Sequence, residues 1–510
     1  MVDKITNLEK IVSLAKRRGF IYPGSEIYGG LGGTWDYGPL GVELKNNIKK
    51  AFWQSMVYGR DDVVGIDTAI LMNPKVWEAS GHVKAFTDPL VECKICHKRF
   101  RADNVTEAKE KLKHMVFTKT SSISTNVTSW SLSQEQSEIL PFIYCMDGKN
   151  KHDFKEIVEN PTKDKEHNFT EPKKFNLLVE AKLGVVEDAK QKVYLRGEIT
   201  QGVHVNFKNI LDSTRVQIPF GIAQIGKAFR NEITPGNFTF RSREFEQMEL
   251  QYYVKPEKEE SEKWYEYWKN ERMKWYLELG MKKDKLRFRQ HEEGERAHYA
   301  KDAWDIEYDL SASGGGWKEF EGIHNRGDWD LSQHQKHSGV DMTYFEPAKN
   351  KKYLPYIIET SGGVDRAALF FLIDAYTEEP AKDEPGLQKS SKPGSGDIAK
   401  RVILKLHPKL APFKAAVFPL LANKPDLVKK ARLLYSQLSI HHLLQPVAWD
   451  DRGNIGKRYF AQDEIGTPYC ITIDFETLEN DTVTIRDRDT AKQERVKVDT
   501  LANILMKKFS

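Results

Sequence analysis

The sequence predicts an α+β protein, and three observations carry that expectation. Two long alternating segments, 224–232 and 240–254, flank a loop of turn residues; a strand, two glycines and an apolar helix follow one another over 356–373; and strands and helices alternate after residue 397. Hydrophobic residues make up 39% of the 510-residue chain and aromatic residues 11%, enough to build cores and to exclude wholesale disorder. No run of about 18 apolar residues is present, so no membrane-spanning helix and no membrane partner is expected. The opening MVDKITNLEK has neither an apolar signal core nor the acid-poor character of a transit peptide. Four cysteines are too few for a disulfide framework and suit a reducing compartment, so a cytoplasmic protein is expected.

Residues 102–174 are polar and irregular, with a Ser/Thr tract at 118–125, and read as an insertion within a larger domain spanning 1–378. In the segments 224–232 and 240–254, the intervening Pro235-Gly236-Asn237 is turn chemistry, so a β-hairpin with a long tip is expected. Over 259–281, Trp264, Tyr265, Trp268, Trp275 and Tyr276 recur at three- to four-residue spacing, which predicts a helix whose rings pack rather than stack on bases. Residues 379–397, EPAKDEPGLQKSSKPGSGD, lose all apolar periodicity and read as a linker. Beyond them, strands at 402–406, 415–420, 470–474 and 482–486 and a helix at 427–438 predict a compact α/β module over 398–510. That module carries 19 Lys and Arg against 13 Asp and Glu, a net of +6, leaving 59 against 61 upstream. A basic module on a near-neutral body suits an anionic partner such as nucleic acid, and a solvated lysine-rich surface accounts for the charge equally simply.

P-loop and dinucleotide signatures are absent: the Gly-Lys pairs at Gly148, Gly226 and Gly456 lack the following Ser or Thr. Another arrangement suits a nucleotide. Side chains alternate along a strand, so Arg241, Arg243, Phe245, Gln247 and Glu249 are expected on one face, with Arg230 and Glu232 together on the partner. A guanidinium forks onto two phosphate oxygens and an aromatic ring stacks on a flat base. Glu249 falls about 13 Å beyond Phe245, roughly the span from adenine to a substituent on an α-phosphate. A salt-bridged, solvent-facing hairpin remains open on this pattern alone. At 356–373, Gly362 and Gly363 would let a ligand approach the backbone, Arg366 opens the helix, and Glu359 and Ser361 share a strand face.

Together these segments resemble a known family. FRNE at 229–232 with RSREF at 241–245 is similar to motif 2 of the class II aminoacyl-tRNA synthetases. GGVDR at 362–366 resembles their motif 3, and DTAILMNPKVWEASGH at 67–82, with Pro74, resembles the dimer-forming motif 1. The segments at 22–47, 99–103, 319–331 and 453–478 are similar to the homodimeric glycyl-tRNA synthetases, and the likeness spans nearly all of the chain except about 104–174. The resemblance implies an antiparallel catalytic sheet of six or seven strands flanked by helices, and an anticodon-binding domain at 398–510. It implies a homodimer that joins glycine to tRNA(Gly) through a glycyl-adenylate, using ATP with Mg2+.

For the site, the match implies that Arg230 holds the α-phosphate, that Arg241 or Arg243 and Arg366 hold the outer phosphates, and that Phe245 stacks on adenine. Glu232 faces the adenine edge, with Glu319 and Phe320 near the nucleotide; catalysis rests on Arg230, Arg366 and Glu232. Asn231, Phe240, Ser242, Glu244, Gly363, Val364 and Asp365 complete the ATP set. Glycine offers only an ammonium and a carboxylate, so Glu198, Glu249 and Glu359 are expected around the ammonium, with Arg101 and Arg326 nearby and Ser361 over the α-carbon. Phe245, Glu246, Gln247, Met248 and Gly363 complete the glycine set. This chain departs from the family by reading LRGEITQG at 195–202, where relatives carry Pro and Thr. Cys93-Lys-Ile-Cys96 has zinc-ligand spacing, with Cys145 and Asp147 or His152 as further ligands, but a pair of free thiols is the expectation adopted. Cys470 is expected in the core. The alternatives weighed are a class II synthetase for another small amino acid, a non-catalytic tRNA-binding relative, and an unrelated enzyme carrying an RNA-binding C-terminal domain.

Overall fold

The computed structural model describes residues 7–94, 99–102, 115–119, 138–144, 169–185, 191–232, 236, 238–296, 300–311, 315–380, 400–440 and 445–509. The chain packs as two compact units, one of residues 1–80, 180–229 and 236–510, the other of 81–179 and 230–235.

The first unit is built on a seven-stranded sheet. Its strands are β1 (Val63–Ile66), β2 (Phe220–Phe229), β3 (Glu244–Val254), β4 (Leu286–Gln290), β5 (Asp302–Asp309), β6 (Trp317–Gly327) and β7 (Tyr356–Gly363). They lie in the order β4-β5-β6-β7-β3-β2-β1, antiparallel throughout except for the parallel β1–β2 edge. Both the antiparallel sheet and the expected hairpin are therefore present. The strands stop short of the predicted ends, however. β2 closes at Phe229 and β3 opens at Glu244, so Arg230, Asn231, Glu232, Arg241, Ser242 and Arg243 leave the ladder. The physical cause is local: Phe238 adopts a left-handed φ of 59° at the start of a 3-10 turn, Phe238–Phe240, and Gly236 pairs with Arg241 in an isolated bridge.

Helices α1 (Pro39–Trp53), α2 (Lys258–Glu278) and α3 (Val364–Ala375) pack on this unit. α1 begins with Pro39, whose missing amide costs nothing in the first turn. α2 presents Tyr265, Trp268, Trp275 and Tyr276 to the core, so its aromatics are packing residues as expected. α3 is apolar nearly all round because it is buried nearly all round. Between α2 and β6, the fully buried Arg272 guanidinium donates to both oxygens of Glu321, at 2.5 and 2.9 Å, and the Tyr276 hydroxyl donates to the same carboxylate.

The C-terminal segment forms a five-stranded sheet. Ala415–Pro419 lies between Val447–Trp449 and Tyr469–Ile473, all parallel, and Thr482–Asp487 and Gln493–Lys497 follow antiparallel. Helices Pro425–Ile440 and Val498–Phe509 contribute Leu427, Leu434, Leu501 and Leu505 to its core. Val447–Trp449 and Gln493–Lys497 were not legible beforehand: one is three residues long and the other is Gln-Glu-Arg-Val-Lys, polar because it is the sheet's exposed edge. Glu379 and Pro380, at the start of the expected linker, belong instead to a strand, Tyr376–Pro380, paired with Lys400–Leu404; residues 381–399 lie outside those described.

In the second unit, Thr87–Glu92 pairs with Arg99–Arg101 and with Lys173–Asn176, and Met115–Lys119 pairs with Glu138–Tyr144. Of the predicted insertion, residues 103–114, 120–137 and 145–168 lie outside the described residues.

The Arg272–Glu321 pair yields a stability prediction. Arg272→Leu strands a buried carboxylate and should lower unfolding stability by about 3–5 kcal/mol, whereas Arg272→Leu with Glu321→Leu should recover most of that loss. Urea unfolding of both variants checks it.

Candidate active site

The register of the central sheet decides which side chains meet. Gln247 lies opposite Gly363, Glu249 opposite Ser361 and Gln251 opposite Glu359 on β3–β7, while Gly322 lies opposite Ser361 and His324 opposite Glu359 on β6–β7. Gln247, Glu249, Gln251, Glu359, Ser361, Gly322 and His324 thus share one face. Phe245 begins that series.

Two glutamates sit side by side there, both fully buried. Ser361 Oγ donates to Glu249 Oε1 at 2.6 Å, Gln247 Nε2 to the same oxygen at 2.9 Å, and Thr200 Oγ1 to Glu249 Oε2 at 2.6 Å. Glu359 is held differently. Arg326 Nη1 donates to its Oε2 at 2.9 Å, Gln251 Nε2 to the same oxygen at 2.8 Å, and His324 Nδ1 lies 2.7 Å from its Oε1. Arg326 also forks onto Asp330, at 2.8 and 2.9 Å, and Gln201 bridges Asp330 to Glu198.

The charge states follow from these partners. Burial, reinforced by the charges of Glu359 and Glu198, pushes the Glu249 carboxyl up to about 8, and its Ser361 and Thr200 hydrogen bonds only partly offset that. Burial acts on Glu359 too, but the Arg326 guanidinium and the His324 hydrogen bond outweigh it and hold this carboxyl well below the usual range. Asp330 is likewise lowered, with Arg326 overcoming its burial. Burial pulls His324 down, yet contact with Glu359 leaves it raised. Among the described residues, no lysine or arginine pairs with Glu249. It is the one carboxylate of the pair supplied only with neutral donors.

The loop carrying Glu198 is set by its neighbours. Buried Arg196 donates Nε to the Lys227 carbonyl at 2.5 Å and Nη1 to the Thr68 carbonyl at 2.7 Å. A Cβ on Gly226 would stand 2.3 Å from Arg196 Nη2, so glycine makes room for that guanidinium. In LRGEITQG, the Arg196 hydrogen bonds thus fix the start of the loop.

Further along the same face, Arg366 Nη1 donates to the Glu319 carbonyl at 3.0 Å and pairs with its carboxylate at 3.0 Å, and the guanidinium lies 4.5 Å from the Phe240 ring centre. Arg243 Nη1 donates to the Gly32 carbonyl at 2.9 Å and its amide to the Gly33 carbonyl at 2.7 Å, tying the glycine-rich loop at 29–33 to the start of β3. In the second unit, the Arg230 guanidinium lies 5.2 Å from the Phe86 ring centre, the Asn231 amide donates to Leu177, and Glu232 is buried.

Several expected contacts are not on this face. Glu246 and Met248 alternate to the rear, where Glu246 pairs with Lys45 and Lys49 and Met248 enters the core. Phe320 is buried among Tyr276, Tyr308 and Phe370, and Val364 is buried in α3. Glu244 pairs with Lys227. Both carboxylate oxygens of Asp365 are taken, by Lys45 Nζ at 2.8 Å and by the Glu246 amide at 2.5 Å. Gly362 is required from behind: a Cβ there would stand 3.0 Å from Glu321 Oε2 and 3.2 Å from the Tyr276 hydroxyl. The family resemblance brought these residues in, and strand alternation places Glu246 and Met248 on the rear, because a residue beside a motif need not share its face.

The arrangement pairs a buried, hydrogen-bonded acid cluster with an arginine and an aromatic ring at the ends of adjacent strands. Residues 179–375 match the tRNA synthetase class II core domain (G, H, P, S and T), and residues 414–508 match the anticodon binding domain. Over 510 residues the chain is 47% identical to the glycine–tRNA ligase of Thermobifida fusca, covering 100% of both chains. It is 49% identical to the glycine–tRNA ligases of Clostridium kluyveri and Alkaliphilus oremlandii, covering 98% of each pair. The chain belongs to the glycine–tRNA ligase family.

For a ligase of this family, the sequence pointed to Glu198, Glu249, Glu359, Ser361 and Arg326, and the fold brings them together. It did not point to Thr200, Gln251, His324 or Asp330. Strand alternation held a signal for Gln251, two residues beyond Glu249; the others reach the cluster through tertiary contacts that local spacing does not encode. Of the possible zinc ligands, Cys93 is buried beside Phe169 in an isolated bridge, and Cys96 and Cys145 lie outside the described residues, as does the Arg101 side chain. Among the described residues, no group of three or more metal-ligating side chains occurs. Cys470 is buried in the C-terminal sheet, as expected.

A pH prediction follows from Glu249. Its folded-state pKa, about 8, exceeds the ordinary 4.5, so its contribution to stability is complete below about pH 4.5 and is lost as pH rises through 8. Glu249→Gln removes that loss. The variant should melt higher than the unaltered protein at pH 8, with the gap narrowing toward pH 5. Thermal melts across that range check it; a constant gap would show that Glu249 is ionised throughout.

Proposed function

We infer that the chain attaches glycine to the 3′ end of tRNA(Gly) through a glycyl-adenylate, the ligase activity of its family. The observation that carries this reading is the buried set of Glu249, Glu359 and Ser361, in which one carboxylate is matched by cations and the other is not. A glycine ammonium beside Glu249 supplies the missing positive charge, with Glu198 adding to the field. Ser361, opposite Glu249 in register, occupies the space that a methyl group on the substrate would need.

In the first step, a glycine carboxylate oxygen attacks the α-phosphorus of ATP and pyrophosphate leaves. In the second, a terminal ribose hydroxyl of tRNA attacks the glycyl carbonyl and AMP leaves. Neither step needs a protein nucleophile; positioning and charge stabilisation suffice. On the family match, Arg230 holds the α-phosphate, Arg366 an outer phosphate, and Phe245 stacks on adenine. A second outer-phosphate role stays with Arg241 or Arg243, of which Arg243 also donates Nη1 to the Gly32 carbonyl. Glu307 and Glu319, opposite each other on adjacent strands and paired here with Arg287 and Arg366, would hold a phosphate-bound Mg2+ through their hard oxygens, and the ion would offset phosphate charge. The basic C-terminal module suits the anticodon arm, and motif 1 around Pro74 suits a homodimer. No helix among the described residues is long and apolar enough to cross a membrane, and the chemistry belongs to the cytoplasm.

Pyrophosphate exchange with each of the twenty amino acids tests the reading. Exchange with glycine alone is expected. Exchange with another amino acid overturns the pocket, and none with any overturns catalysis in favour of a tRNA-binding role. Arg230→Ala should slow adenylate formation by about 10²-fold or more, the cost of one charge-stabilising donor. Ser361→Gly should let alanine compete better, read as a smaller ratio of glycine to alanine kcat/KM; an unchanged ratio removes Ser361 as the gate.

A further inference from the structure

Behind the proposed nucleotide site lies a charge cluster that the reaction itself does not use. Lys45, on α1, places its ammonium 2.8 Å from Asp365 Oδ1 and 3.1 Å from Glu246 Oε2. Lys49, one turn on, stands 3.1 Å from Glu246 Oε1. Asp365 Oδ2 accepts the Glu246 amide at 2.5 Å, so the carboxylate that receives the lysine also grips the backbone of β3. The Tyr37 ring lies against the same ammonium, 4.2 Å from its centre. Lys45, Asp365 and Glu246 retain only 11%, 8% and 14% of their side-chain exposure. Burial works against the Lys45 charge, but Asp365 and Glu246 more than compensate and leave its pKa raised.

Position in the chain gives this cluster its meaning. Asp365 directly precedes Arg366, and Glu246 directly follows Phe245. Two elements far apart in sequence, the end of β7 with the start of α3 and the start of β3, are thus pinned to one lysine from a third. We propose that Lys45 is a positioning residue for nucleotide binding, acting through Asp365 and Glu246 to hold Arg366 and Phe245 in place. Asp365, with both oxygens engaged, belongs to this device and does not itself contact ATP.

The site is suited to a test because it is not a packed hydrocarbon core. Tyr37, Lys45, Lys49, Glu246 and Asp365 line a cavity of ≈ 530 Å³ that opens to solvent. Water can therefore reach the two carboxylates when the lysine is removed, which limits the loss of overall stability while the pinning is lost.

The inference rests on the nucleotide reading of Phe245 and Arg366, and the unaltered protein separates the two. If it shows no glycine-dependent pyrophosphate exchange, the functional reading fails. Given exchange, Lys45→Met should raise KM for ATP by about tenfold, with KM for glycine changed by less than about twofold, and Lys45→Arg should recover most of the loss. Asp365→Asn should show the same split, and combining it with Lys45→Met should add little, because both remove one linkage. If Lys45→Met does not fold, Asp365→Asn carries the test alone. An unchanged KM for ATP, or equal rises for ATP and glycine alongside a lower Tm, overturns the proposal and leaves Lys45 a purely structural residue.

Discussion

The structure around the proposed site depends on one constraint: two buried glutamates on adjacent strands cannot both remain charged without compensation. Glu249 and Glu359 project from β3 and β7 on the same face, two residues out of step. The groups nearby favour one or the other, with Thr200 and Gln251 each closer to one but reaching both. Arg326, His324 and Gln251 converge on Glu359, while Ser361, Thr200 and Gln247 converge on Glu249. This unequal division keeps one carboxylate ionised and leaves the other dependent on an arriving cation. Asp330, in turn, holds Arg326 by two further hydrogen bonds, so the guanidinium that stabilises Glu359 is itself fixed.

The rear of the same strands meets a parallel demand. Glu321, one residue before Gly322 and therefore on the opposite face, is neutralised by Arg272 and Tyr276 of α2. Gly362 has no Cβ, and that carboxylate and hydroxyl occupy the space one would fill. Lys45 and Lys49 satisfy Glu246 in the same way nearer the end of β3. The sheet is thus a partition with buried acids on both faces, each except Glu249 matched by basic groups on its own side. An apolar sheet would tolerate small shifts between strands; hydrogen-bonded charges at fixed register do not, since displacement by even an ångström leaves a charge buried without its partner.

How much of this was legible in the sequence depended on the range of the interaction. Alternation exposed the hairpin and placed Phe245, Gln247 and Glu249 together, because a period of two is local. It extended the ladder too far at both ends: Arg241 and Arg243 continue the alternation in sequence, but the left-handed Phe238 and the Gly236 bridge take the chain out of it. Composition predicts a linker over 379–397, yet Glu379 and Pro380 pair with residues beyond it and so belong to a strand. Motif likeness supplied Glu198 and joined it to Glu249 and to the Glu359–Ser361 pair, which alternation places only within their own strands. It also swept in Glu246, Met248, Phe320 and Val364, which adjoin the motif residues but face other surroundings. Thr200, His324 and Asp330 carried no local signal, because their contribution exists only once distant segments are folded against one another.

Selectivity for glycine can rest on the same hydrogen bonds that settle charge. The Ser361 hydroxyl orients Glu249 and, from the next strand, fills the space beside it. A larger substrate would have to displace that hydroxyl, and doing so would remove a neutral donor from a buried carboxylate while also meeting steric overlap. The two penalties arise together, so discrimination need not depend on shape alone. No amino acid is smaller than glycine, hence a site that excludes one methyl group has no smaller competitor left to reject, and hydrolytic correction of a misattached amino acid becomes unnecessary. On the proposed roles of Glu249 and Ser361, orientation of the ammonium acceptor and exclusion of a side chain would be a single structural property, set by the pairing of β3 with β7.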